Sequence, residues 1–198
     1  MFYVHKFFSI TLLLLSFNAA ATMVNRGDIS RNNLVVEEPL QNSGSINVAN
    51  TLSLYDTVEN SGTIEAGTIL VNDTFKNSAS GSVNATTVFI AAGCRALENQ
   101  GVLVVGSLHL PAYGTRLKLS LNKQTSIGSL YRGEDYLGGI SFQPRRSRNQ
   151  STVMITDEQG TKHTFSGTTQ NLENVLEKAI NEKMNVLALL AYLRSMTR

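Results

Sequence analysis

The chain has 198 residues, a formal net charge of +2 at pH 7, 16% charged residues, one cysteine and no tryptophan. So small a charge, with no RNA- or DNA-binding motif, argues against nucleic acid as a partner. The lone Cys94 excludes an intrachain disulfide framework, so packing and backbone hydrogen bonds must hold the fold.

Residues 1–21 read as a signal peptide. Lys6 charges the n-region, Phe7 to Phe17 is a leucine-rich apolar run, and Asn18-Ala19-Ala20-Ala21 offers the small residues of a cleavage site. The competing reading, an uncleaved anchor, needs about 20 apolar residues to cross a bilayer. No later stretch reaches that length, so no membrane span is expected after cleavage, and the chain is expected to be secreted, periplasmic or at the cell surface. Beyond the leader the charge is uneven. Residues 22–94 hold three basic residues and seven acids, and residues 95–198 hold thirteen and eight, which suggests two structurally distinct parts.

After a lead-in over residues 22–33, an internal repeat dominates residues 34–112. Leu40-Gln41-Asn42-Ser43-Gly44, Val58-Glu59-Asn60-Ser61-Gly62, Phe75-Lys76-Asn77 before Gly81, and Leu97-Glu98-Asn99-Gln100-Gly101 share one cadence. Between these corners, apolar pairs recur with a spacing of two: Ile46/Val48 then Leu52/Leu54, Ile64/Ala66 then Ile69/Val71, Val83/Ala85 then Val88/Ile90, Leu103/Val105 then Leu108/Leu110. Short strands joined at corners produce that pattern, and no helical period fits it. One coil cannot bury its own apolar face, whereas stacked coils share a continuous core. The predicted fold is therefore all-β, a short right-handed parallel β-helix of about four coils. Asn42, Asn60, Asn77 and Asn99 are expected to stack as a corner ladder, and the following glycines to supply an unusual backbone angle. An antiparallel sandwich is the alternative, but it has no reason to repeat Asn and Gly in step with the strand pairs.

The Asn-Ser-Gly-x-Ile cadence in coils of about 20 residues resembles the parallel β-helices of bacterial surface adhesins, the filamentous-haemagglutinin-like proteins and autotransporter passenger domains. The resemblance covers roughly residues 34–110. It implies a structural, adhesin-like role, with a glycan or protein partner met by the solenoid surface.

Residues 113–168 are expected to extend the solenoid with the strand Arg116 to Leu121, a Gly-, Ser- and Arg-rich loop over Gly128 to Asn149, and a β-hairpin pairing Thr152–Thr156 with Thr161–Phe165. Residues 169–198 read as one amphipathic C-terminal helix N-capped by Asn171. That helix or the solenoid ends could mediate self-association, the basis of a third expectation, an envelope or fibre component.

No catalytic constellation is expected. Parallel β-helices also host polysaccharide lyases and hydrolases, which need converging carboxylates, and Asp56 with Asp73 is the one pair at comparable points of adjacent coils. Arg145, Arg146 and Arg148 form the densest basic cluster, able to grip an anionic glycan or simply an exposed loop. His109 lies between two inward residues and should face outward, and Cys94 reads as a buried filler or, alternatively, an intermolecular link or a reactive thiol. No spacing suits a metal or a cofactor.

Overall fold

A computed structural model describes residues 22–120, 123–144 and 150–196. Its β-solenoid consists of a short and a long strand per coil: β1 (Met23–Asn25) with β2 (Asp28–Val36), β3 (Leu40–Asn42) with β4 (Ser45–Leu54), β5 (Val58–Asn60) with β6 (Thr63–Val71), β7 (Phe75–Asn77) with β8 (Ser82–Ile90), β9 (Ala96–Asn99) with β10 (Val102–Leu110), and β11 (Arg116–Leu119) with β12 (Thr125–Arg132). The short strands stack in parallel as one sheet and the long strands as another. The solenoid thus has six coils among the described residues, against the four expected, and it extends beyond residues 34–112 at both ends. The lead-in forms the first coil, and the strand at Arg116 forms part of the sixth.

Alternation along each strand sets the core. Met23, Leu40, Val58, Phe75, Leu97 and Leu117 stand in register on the inner face of the short sheet. On the long sheet, Ile46, Ile64, Val83 and Leu103 form one inner column, and Leu52, Ile69, Val88, Leu108 and Leu130 another. Ile46, Leu52 and Ile64 are completely buried. Each such side chain contributes about 1.5–3 kcal/mol relative to exposure, and parallel pairing satisfies the backbone along the way.

The corner ladder is present and longer than expected. Asn25 Nδ2 donates to Asn42 Oδ1, Asn42 to Asn60, Asn60 to Asn77 and Asn77 to Asn99, at 2.7–2.8 Å. All five asparagines are buried. In the sixth coil Leu119 takes the position, and Asn99 Nδ2 turns to the Gly101 carbonyl. The corner glycines have a different cause from the one expected. None of them has a positive φ; instead, a Cβ on Gly62 would fall against the carbonyl oxygen of Gly44 in the coil before it. Close stacking of turns, not an unusual angle, requires glycine here.

Past Arg132 the long sheet continues antiparallel through β13 (Asp135–Pro144), β14 (Gln150–Thr156) and β15 (Lys162–Thr168). The β14–β15 hairpin matches the expectation. The loop expected over Gly128 to Asn149 does not: β12 and β13 occupy most of its described part, joined by a tight turn at Gly133, whose φ of 62° suits glycine. The single C-terminal helix is two, α1 (Thr169–Asn181) and α2 (Val186–Met196). Thr168 rather than Asn171 caps α1, its hydroxyl accepting from Asn171 N–H. Lys183, at φ 57°, breaks the helical path. Leu172, Val175, Leu176, Ala179 and Ile180 bury one face of α1.

That face brings α1 against the free edge of β11. Glu173, Glu177 and Asn181 lie four residues apart along the helix, a rise of about 6 Å per step. Alternate residues of a strand lie about 6.6 Å apart, so the two spacings nearly match. Leu119 N–H donates to Glu177 Oε1 at 3.2 Å, and Leu117 N–H to Asn181 Oδ1 at 3.0 Å. Polar helix side chains replace the missing seventh strand.

Candidate functional surfaces

Two outer faces follow from the coil geometry. On the short sheet, Val24, Gln41, Glu59, Lys76, Glu98 and Lys118 point outward in register. A groove of about 520 Å³ runs over them from Val24 and Arg26 to Glu98 and Gln100. Two of its charges pair with each other: Lys76 Nζ lies 3.6 Å from Glu59, and half-exposed pairs of this kind contribute about 0–1 kcal/mol.

The second half of the long strands carries a different surface. Outward positions align Val35, Ser53, Leu70, Phe89, His109, Tyr131 and Tyr136 through seven strands. Phe89 stacks on His109 at 4.6 Å between ring centroids, His109 on Tyr131 at 4.7 Å, and Tyr136 meets Tyr131 tilted at 5.4 Å. The centroid spacing is set by the rung spacing of the sheet. His109 projects outward, as its place between Leu108 and Leu110 implies. Beside this stripe, Thr51, Thr68, Thr87, Ser107 and Ser129 form a parallel hydroxyl column. The stripe escaped the sequence reading, although its signal was present in the residue enclosed by each second inward pair.

Asp56 and Asp73 do occupy equivalent corners. Each carboxylate accepts the N–H of its following residue, Thr57 or Thr74, at 2.6 Å, as a turn cap does. Cys94 is buried, its Sγ 3.6 Å from the Ala96 carbonyl oxygen. Burial, with Asp73 as a smaller contributor, pushes its pKa up to about 11, so the thiol stays protonated. Arg145, Arg146 and Arg148 lie outside the described residues, as does the expected signal peptide. Among the described residues no cluster of His, Cys, Asp or Glu could hold a metal ion, and no helix is long and apolar enough to cross a membrane.

In the β14–β15 turn, Asp157 Oδ1 accepts from Gln159 and Thr161 N–H, and Oδ2 meets His163 Nε2 at 2.8 Å. The His163 contact foremost, with the two backbone donors, holds the Asp157 pKa below its ordinary value.

No family model, no curated protein and no solved structure matches the chain.

Proposed function

We propose that the protein is a non-enzymatic, adhesin-like binding scaffold of the cell surface or secreted space, and that its aromatic stripe is the face that meets a glycan or protein partner. The observation that carries this reading is the pre-stacked series Phe89, His109, Tyr131 and Tyr136 on the outer face of the long sheet, Phe89 exposed and the others half-buried. Exposed aromatic area in one contiguous band is a recurring feature of binding surfaces. Rings already held by their neighbours lose little conformational freedom on binding, which favours affinity.

The test pairs binding with cleavage. The protein is incubated with a panel of acidic and neutral polysaccharides and with candidate cell surfaces. Binding without new reducing or unsaturated ends, lost in Phe89→Ser/Tyr131→Ser, supports the scaffold. Cleavage that disappears in Asp56→Ala or Asp73→Ala replaces it with a carbohydrate-active enzyme.

The solenoid ends favour one further reading. Among the described residues no strand lies outside β1 and β2, while α1 closes β11 at the other end. Both sheets end in an open edge at the first coil, whereas at the other end only β15 of the long sheet lacks a further strand, and two such unlike ends suit a head-to-head pair rather than a fibre. Sedimentation of the chain freed of residues 1–21 decides: a dimer supports the pairing, and either a monomer or longer oligomers removes it.

A further inference from the structure

Outward positions on the second half of the long strands form two columns, two residues apart along each strand. One is the hydroxyl column Thr51, Thr68, Thr87, Ser107 and Ser129, and the other runs through Leu70, Phe89, His109 and Tyr131. Along a strand the columns stand about 6.6 Å apart, and along the solenoid axis both repeat at the rung spacing of about 4.8 Å. The hydroxyl-bearing residues are half-buried, and Ser107 Oγ donates to Thr87 Oγ1 at 3.2 Å. Neither column contains a lysine, arginine, aspartate or glutamate.

The rings cover one another. Phe89, His109 and Tyr131 stack with interplanar angles of 23° and 5°, so a ligand lying on the sheet meets their edges rather than their faces. The edge of an aromatic ring is its electropositive part, and the imidazole nitrogens and phenol hydroxyl add polar groups there. Ring edges beside a row of hydroxyls suit a ligand that carries oxygen along its whole length. Spacing narrows the class further. An extended peptide presents alternate residues about 6.6 Å apart, out of step with the rungs. An extended 1,4-linked pyranoside chain advances by close to one rung per sugar, so each sugar meets the same pair of columns. A polyanionic chain would find no counter-charge in either column, which favours a neutral one.

We propose that the two columns are one binding site for an unbranched, uncharged, 1,4-linked glycan that lies along the solenoid axis, across the strands. The inference rests on the stripe being the binding face and names the ligand class that this face takes. Thr87, Ser107 and Ser129 exchange hydrogen bonds with sugar hydroxyls on one flank of the chain, and the ring edges of Phe89, His109 and Tyr131 support the other.

Calorimetric titration of the full chain with cello-oligosaccharides of increasing length tests the site, with oligogalacturonates of the same lengths as charged counterparts. Affinity should climb with each added sugar and level off at about five, one for each coil that carries the hydroxyl column. The galacturonates should bind roughly tenfold more weakly. Thr87→Val/Ser107→Ala should weaken the longest cello-oligosaccharide about tenfold, and Phe89→Ser/Tyr131→Ser should abolish its binding. No saturable binding by about 1 mM, affinity independent of length, or tighter binding of the galacturonates overturns the ligand class. The binding face is then judged separately, by whether Phe89→Ser/Tyr131→Ser still abolishes attachment to cell surfaces. Glycan binding at native strength in both folded double variants overturns the site and the binding face together. Should the ring variant fail to fold, the hydroxyl variant decides alone, and unchanged affinity there overturns the site.

Discussion

Asn181 engages both backbone polar groups of Leu117: its Oδ1 accepts the Leu117 N–H and its Nδ2 donates to the Leu117 carbonyl, each at 3.0 Å. A side-chain amide has the donor and acceptor of a peptide group, so one residue of α1 stands in for one residue of a neighbouring strand. An uncovered strand edge is a template for aggregation, and here a helix covers it.

Removing that amide should therefore expose the edge. Asn181→Ala leaves a donor and an acceptor of Leu117 without partners and should cost about 1–3 kcal/mol in urea denaturation. Glu177→Gln is the counterpart. Burial raises the Glu177 pKa although Leu119 N–H opposes the rise, so an uncharged acceptor there should be neutral to mildly stabilising at pH 7. An Asn181→Ala protein as stable as the native one would show that the helix does not close the edge.

The coil register makes a ranked prediction. Ile64 is wholly buried and Glu65, next in sequence, is exposed. Ile64→Asp places a carboxylate in an apolar column, a penalty of several kcal/mol against a total stability of about 5–15 kcal/mol. Asn60→Ala removes the rung between Asn42 and Asn77, for about 1–3 kcal/mol. Glu65→Lys should change stability by about 0.5 kcal/mol at most. Thermal melts should rank the three in that order, and a Glu65→Lys as damaging as Ile64→Asp would refute the register.

Cys94 should be inert. A thiol buried beside the Ala96 carbonyl and titrating near 11 offers almost no thiolate at pH 8. Labelling with a disulfide reagent should proceed only at the rate of unfolding and become immediate in denaturant. Fast labelling of the native protein would place the thiol at the surface.

Acid should loosen the β14–β15 turn. The folded-state pKa of Asp157 lies below the ordinary 3.8, so its carboxylate contributes stability that is fully present above that value. The contribution is lost as the pH falls from about 3.8 through the depressed folded value. The stability gap between the native protein and Asp157→Asn should accordingly narrow in acid melts below that pH. A gap independent of pH would remove the Asp157–His163 pair as its source.

The aromatic stripe and the buried Arg132, which follows Leu110 in the last inward column of the long sheet, show how differently two features of one solenoid can be marked in its sequence. Phe89 and His109 sit between inward residues, so alternation alone turns them outward. Their stacking, with each other and with Tyr131, needs residues twenty and twenty-two positions apart to fall into register, which a single-strand reading does not test. Arg132 interrupts an apolar column whose last expected member was Leu110, and the strand holding it lay in a segment rich enough in glycine and serine to read as loop.

Local patterning was enough to specify the coil. Inward pairs spaced by two and the Asn–Gly corners are properties of local strand geometry, and a repeat multiplies that signal until no other fold accommodates it. Even the first coil carried its mark in Asn25 and Gly27, hidden by the exposed polar residues of β2. The ends were decided only in the tertiary structure. Whether β11 is left open or covered depends on Asn181, 64 residues from Leu117, and on a break at Lys183 that splits one apolar stripe into two helices. Polar side chains on a helix look alike whether they face water or a strand edge, because the partner that distinguishes them is supplied by folding and not by their neighbours in the chain.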